Sequence, residues 1–169
     1  MKDVVILELI RRMPFASPVL DVGAGDSLRR QLLTEMMKSQ DDSIFGSEVD
    51  IDNRHYEFTA GYFGTIISTQ VIEHLFNPLF HLREVRRVLK PDGILYLCTP
   101  DDYSWMNRLQ HLLGVKYGGH FHQYSENDLR GLLDKAGFSI LEVKRLRQTV
   151  KGVIEAHDFG GLFVCAQKC

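Results

Sequence analysis

Runs with the length and composition of buried strands alternate with helix-period segments through most of this chain, and that alternation limits the possible folds more than any other feature. Pro18-Val-Leu-Asp-Val22 reads as the first strand, and a Gly-rich turn leads from it into a helix with Leu28, Leu32, Leu33, Met36 and Met37 on one face. Ile44 to Ile51 reads as the second strand and Phe63 to Ser68 as the next. Asn77-Pro78 marks a helix start, an N-cap followed by proline at the first helical position. That helix runs through Leu79, Leu82, Val85 and Leu89 to a Lys90-Pro91-Asp92-Gly93 turn, which feeds a strand from Ile94 to Thr99. Ser125-Glu-Asn-Asp128 is a capping box with Asp in place of Glu, opening a helix that Gly137 closes. Phe138 to about Leu146 and Gly161 to Gln167 complete the strands, and an amphipathic helix from Lys2 to about Arg12 precedes them all. Such alternation predicts a parallel, doubly wound sheet with helices on both faces. Ligands then bind outside the carboxyl ends of the strands.

The size and charge of the chain narrow its function. One domain covering 1–169 accounts for all 169 residues, with 44% hydrophobic and 25% charged side chains. A net charge of −2 argues against a protein that coats nucleic acid. Three cysteines form no CxxC pair, and Cys98 and Cys165 sit in apolar runs, the pattern of a reducing cytoplasm. Asp3 and Glu8 interrupt any signal-peptide core, and no apolar run has the length of a membrane span.

The first strand ends in Asp21-Val-Gly-Ala-Gly-Asp-Ser27. Gly23 and Gly25 let a ligand approach the backbone beside a helix N-terminus. Leu28 stands where a nicotinamide-type site wants a third glycine, and an acid two residues before the first glycine suits a ligand bearing positive charge or amino groups. LDVGAGDS resembles the first motif of class I S-adenosylmethionine-dependent methyltransferases. IISTQVIEHLFNP, REVRRVLKPDGILYLCTPD and HFHQYSENDLRGLLDKAGF are similar, in order, to later segments of the small-molecule-type (type 11) group, and GLFVCAQK resembles the family's last strand.

The resemblance implies an α/β fold: a Rossmann-like, doubly wound, mostly parallel sheet with an antiparallel last strand. It also implies a compact version, because the family's elements between its second and fourth strands are compressed here into Asp52–Tyr62. S-adenosylmethionine is the implied cofactor. Asp21, Gly23, Ala24 and Gly25 would line its methionine moiety, with Asp21 near the ammonium. Asp50, or else Glu48, would hold the ribose hydroxyls, with Asp52 a further candidate, since a carboxylate accepts two hydrogen bonds. Ser68, Thr69 and Gln70 would border the sulfonium and the substrate entrance. His74, His120 and His122 are candidate general bases because imidazole titrates near neutrality. Capping or packing is the competing role for the Glu73-His74 pair, and His81 and His111 read as helix-surface residues without a role.

Glu73, His74 and His120 or His122 also resemble the metal set of small-RNA 3′-end 2′-O-methyltransferases. Gln70 replaces the further Glu of that pattern, so no metal is expected. The chain departs from the type 11 pattern at Asp26 and Ser27, where a third glycine is common, and at Gly64, where an Asp is usual. The expected function is methyl transfer to a small-molecule or polymer-terminal acceptor seated between Thr69–His74 and Pro100–Tyr124, with Tyr103, Trp105 and Tyr117 as aromatic walls. No bulk nucleic acid or membrane is expected as a partner, and a second copy or a partner subunit could complete the adenine side. The alternative is a methyltransferase-like domain that binds or regulates without catalysis.

Overall fold

The computed structural model describes residues 6, 8–23, 33–35, 44–47, 52, 54–101, 121–146 and 161–169. Its strands are β1 (Val19–Val22), β2 (Ile44–Ser47), β3 (Phe63–Thr69), β4 (Leu89–Pro100), β5 (Phe138–Leu146) and β6 (Gly161–Lys168). They form one six-stranded sheet in the order β2-β1-β3-β4-β6-β5. The first four run parallel, and β6 pairs antiparallel with both β4 and β5. This is the expected Rossmann-like sheet.

Every residue of β1 and β3 is buried, as strands covered on both faces must be. Alternate residues feed two cores. Leu20, Val22, Ile66 and Leu97 join Leu82, Val85, Leu129 and Leu133 on one face. Val19, Ile67, Tyr96 and Cys98 join Ile6, Ile10 and Leu33 on the other. Each such aliphatic burial contributes about 1.5–3 kcal/mol. The first face carries helices α1 (Pro78–Val88) and α2 (Glu126–Ala136). Asn77 caps α1 by accepting from the Phe80 amide at 3.2 Å, ahead of Pro78. In the α2 capping box the Asp128 amide donates to Ser125 Oγ at 3.2 Å and the Ser125 amide to Asp128 Oδ2 at 2.9 Å. The Ser125 hydroxyl, donating to Asp128 Oδ2 at 2.6 Å, and the Ser125 amide together hold the Asp128 carboxyl below its usual pKa. Gly137 ends α2 at φ 86, in the left-handed region.

The compressed stretch proves to be a crossover without a helix. Residues 54–62 contain neither helix nor strand and run beside α1. Side chains of α1 satisfy their backbone: Tyr56 N donates to Glu84 Oε2 (3.1 Å), while Arg87 donates to the carbonyls of Tyr56 and Phe58 (both 2.9 Å). Gly61 N and Tyr62 N then bond the Arg87 and Val88 carbonyls at 3.0 and 2.8 Å. Burial pushes the Glu84 carboxyl up, but bonds from Arg87, His55 and the Tyr56 amide outweigh it and leave its pKa lowered.

Two sequence expectations change. The strand expected from Ile94 begins at Leu89, which pairs with Phe63 one rung before the 90–93 turn; pairing resumes at Thr65↔Ile94. Asp92 keeps its turn conformation (φ 60), so the turn loops out of a continuous ladder instead of separating helix from strand. Of the strand expected over Ile44–Ile51, Ile44–Ser47 is observed and 48–51 lie outside the described residues. The second change concerns His81, which is fully buried instead of lying on the helix surface, because α1 turns the 81, 85, 88 stripe toward the sheet.

Candidate active site

The parallel register sets the carboxyl ends of β1, β3 and β4 side by side, with Val22 opposite Ser68 and Thr69 opposite Cys98. Asp21 is fully buried and engaged in contacts, on the Val19 side of β1 by strand alternation. Gly23, exposed just beyond, has φ 65, and a Cβ built there would lie 2.8 Å from Val71 Cγ2. Both the backbone angle and the space require glycine. Gly23→Ala is therefore expected to cost about 2–4 kcal/mol, a sum of left-handed strain and overpacking. Urea unfolding of the variant measures this directly, and a loss under 1 kcal/mol would contradict it.

At the end of β3, Gln70 is a non-glycine residue at φ 57, held there by its amide donating to the Cys98 carbonyl at 2.8 Å. Such strain persists where the surroundings impose it and clusters at ligand sites. Thr69 is buried, and neither Thr69 Oγ1 nor Gln70 Nε2 finds a hydrogen-bond partner among the described residues. A buried polar atom left unpaired costs about 1–3 kcal/mol, so two adjacent ones single out this strand end as a candidate ligand site. Ser68, by contrast, is buried with its hydroxyl toward the His81 ring at 3.5 Å.

Beyond Gln70, the 3-10 turn Ile72–His74 builds the other wall. Glu73 is buried; its Oε2 accepts from Thr99 Oγ1 at 3.1 Å, and its carbonyl accepts from the Phe121 and His122 amides at 2.9 and 3.2 Å. Tyr124 donates to the Ile72 carbonyl at 3.4 Å and bridges Asp101 just beyond β4. Burial and the nearby Glu73 raise the Tyr124 pKa, keeping the phenol protonated. Glu73 is thus buried and hydrogen-bonded within the fold, while His74 next to it is exposed. His122 is half-buried beside Tyr124, ring centroids 5.9 Å apart. Phe76 and Phe121 form a water-facing aromatic pair, 70% and 54% exposed with centroids 4.1 Å apart.

The structure therefore gathers Asp21, Gly23, Ser68, Thr69, Gln70, His74 and His122 at one end of the sheet. Ala24, Gly25, Glu48, Asp50, His120, Tyr103, Trp105 and Tyr117 lie outside the described residues. Asp52 Oδ1 accepts from the Asn77 amide at 2.9 Å, at the head of α1. Among the described residues no group of three or more His, Cys, Asp or Glu side chains could hold a metal ion. The sequence reading missed His81, the Thr99 partner of Glu73 and the Tyr124 bond to the Ile72 carbonyl.

A parallel sheet with this turn geometry and unpaired polar atoms at its strand ends defines a nucleotide- or cofactor-binding α/β domain. Residues 5–143 match the family model described as "Methyltransferase domain", and the chain belongs to that family. It is a class I S-adenosylmethionine-dependent family, so S-adenosylmethionine is the cofactor. No curated protein sequence matches the chain. Solved structures share the fold at low identity. A possible histamine N-methyltransferase from Thermotoga maritima is 16% identical with a TM-score of 0.70, covering 99% of this chain and 89% of that one. An S-adenosylmethionine-dependent methyltransferase from Mesorhizobium loti is 16% identical (TM-score 0.71, 96% of each chain). The Haloferax volcanii putative methyltransferase complex with its Trm112 activator gives 17%, TM-score 0.70, and 98% and 93% coverage. The site fits the cofactor: a left-handed glycine opens the backbone after β1, and unpaired Thr69 Oγ1 and Gln70 Nε2 stand beside it. No described helix is long and apolar enough to cross a membrane.

Proposed function

We propose that this chain transfers a methyl group to a small-molecule or polymer-terminal acceptor. The observation that carries this reading is the pair of buried, unpaired polar atoms on Thr69 and Gln70 beside the Gly23 turn. The cofactor supplies a methyl carbon already activated by a sulfonium. The protein's share is then alignment and exclusion of water, with a base needed only if the nucleophile must lose a proton.

In this reading Asp21 takes the cofactor's ammonium, and the Gly23-Ala24-Gly25 turn runs along its methionine moiety. Asp50, with Glu48 as second choice, takes the ribose, and Ser68, Thr69 and Gln70 border the reacting end. The acceptor sits between residues 69–74 and 100–124, where the exposed Phe76–Phe121 pair offers an apolar wall. His74, exposed in that gap, is the candidate base among the described residues, with His122 and His120 behind it. One domain over 1–169 does this work in a reducing cytoplasm, in keeping with the free thiols of Cys98 and Cys165. A second copy or a partner subunit closes the adenine side; the activator-bound Haloferax protein is a precedent on the same fold.

Calorimetric titration with S-adenosylmethionine tests the reading. Saturable heat is expected, and Asp21→Asn should weaken binding by about tenfold or more through loss of one charged contact. Absence of both heat and thermal shift at millimolar cofactor, with the protein folded, would sink it. Unchanged affinity in Asp21→Asn would remove that residue from the site and favour the binding-only alternative.

A further inference from the structure

His81 is the one fully buried histidine among the described residues, set in an otherwise apolar layer of Leu82, Val85 and Ile66. Its two ring nitrogens each meet a hydroxyl. Nδ1 lies 3.2 Å from the Tyr56 phenol on the crossover segment, and Nε2 lies 3.5 Å from Ser68 Oγ, one residue before the end of β3. Burial, partly opposed by Asp52, lowers the His81 pKa to about 4, and burial with Glu84 nearby raises that of Tyr56, so both groups are neutral at pH 7. A neutral imidazole donates from one nitrogen and accepts at the other, which makes the chain Tyr56–His81–Ser68 directional. If Nδ1 carried the proton, the Tyr56 hydroxyl would be left with a proton and no acceptor among the described residues. If Nε2 carries it, Tyr56 donates to Nδ1, Nε2–H donates to Ser68 Oγ, and the leftover proton sits on the freely rotating serine hydroxyl. That hydroxyl lies opposite Val22, one residue from the Gly23 turn and two from the strained Gln70.

We propose that His81 is a positioning residue, an Nε2–H tautomer set by Tyr56 that braces Ser68 and leaves its hydroxyl as a hydrogen-bond donor at the cofactor-binding end of β3. The brace also joins Tyr56, in the described 54–62 segment, to the end of β3. It rests on the cofactor assignment above, and the two fail separately.

Two measurements on the full chain test it. Nitrogen-15 correlation spectra of histidine-labelled protein at pH 7 should show His81 with a protonated Nε2 and a bare Nδ1; the opposite tautomer overturns the proposal. Tyr56→Phe and Ser68→Ala, each removing one oxygen, should stay folded and each weaken S-adenosylmethionine binding about fivefold, the size expected for one hydrogen bond. Because the three groups act as one chain, the double variant should lose no more than the weaker single variant. Multiplying losses, or unchanged affinity in both single variants, would overturn the brace while leaving cofactor binding intact. Failure of the wild-type chain to bind cofactor would instead count against the methyltransferase reading, and the tautomer would still decide the direction of the chain.

Discussion

Lowering the pH from 7 to 4 is expected to remove about 3 kcal/mol of folding stability through one side chain, His81. In the unfolded chain an imidazole titrates near its ordinary value of 6.5, whereas in the fold burial holds His81 at about 4. Between those values the unfolded state binds a proton that the native state refuses. Stability therefore rises with pH across the window and falls on acidification. At pH 7 both states are neutral and the penalty is absent. Below the native value both are charged, and the loss has reached its limit. Deeper acidification adds a second loss with the same sign: the Glu84 carboxyl has its pKa lowered by Arg87, His55 and the Tyr56 amide against the cost of burial, so the stability it contributes disappears as it protonates. For a domain of this size, 3 kcal/mol corresponds to a drop of roughly 10 °C in melting temperature. Thermal melts from pH 7 to 4.5 read it out. His81→Gln, which has no titration in that range, should flatten most of the slope, and a flat wild-type profile would refute the assignment.

Gly64→Ala should destabilise the protein by about 3 kcal/mol, the upper end of what overpacking a core costs. A Cβ at position 64 would lie 2.6 Å from the Ala16 carbonyl oxygen and 2.7 Å from its carbon, both backbone atoms that cannot swing aside. The approach is close because the segment before β1 is strapped across the start of β3. Gly64 N donates to the Pro18 carbonyl at 2.9 Å, Ala16 N donates to Thr65 Oγ1 at 3.0 Å, and Lys90 Nζ reaches the Ser17 carbonyl at 2.9 Å. Gly131→Ala is the matched control. It lies exposed on α2 with nothing within 4 Å of its Cβ, so the same chemical change there should stabilise by about 0.5–1 kcal/mol through helix propensity. Equal effects at the two positions in urea unfolding would mean that the strap is not tight. Gly64 also resolves one departure from the family pattern. The acid usual at that position is absent where backbone stands in its place.

The sequence by itself determined the elements whose signals are local. Asn77-Pro78, the Ser125–Asp128 box and Gly137 mark helix ends because caps are satisfied within a few residues of the chain. The mainly apolar runs at Pro18–Val22, Phe63–Ser68 and Gly161–Gln167 read as strands because their composition suits burial on both faces of a sheet. The glycine pattern after Asp21, together with the order of the later segments, carried the family and hence the cofactor. His81 was expected on the helix surface, yet helix phase puts it on the buried stripe of Val85 and Val88, and its partners Tyr56 and Ser68 lie 25 and 13 residues away.

Only the tertiary structure decided how those pieces act together. Residues 54–62 have no periodicity, and they cross over without a helix because Glu84 and Arg87, nearly thirty residues on, bond their backbone groups. The buried setting of Glu73 depends on Thr99, 26 residues away. The strain at Gln70 and the unpaired atoms beside it arise where neighbouring strands end together, and no local pattern in the sequence encodes that juxtaposition. Caps and strand patterns are read along the chain, whereas this site is made by packing across it.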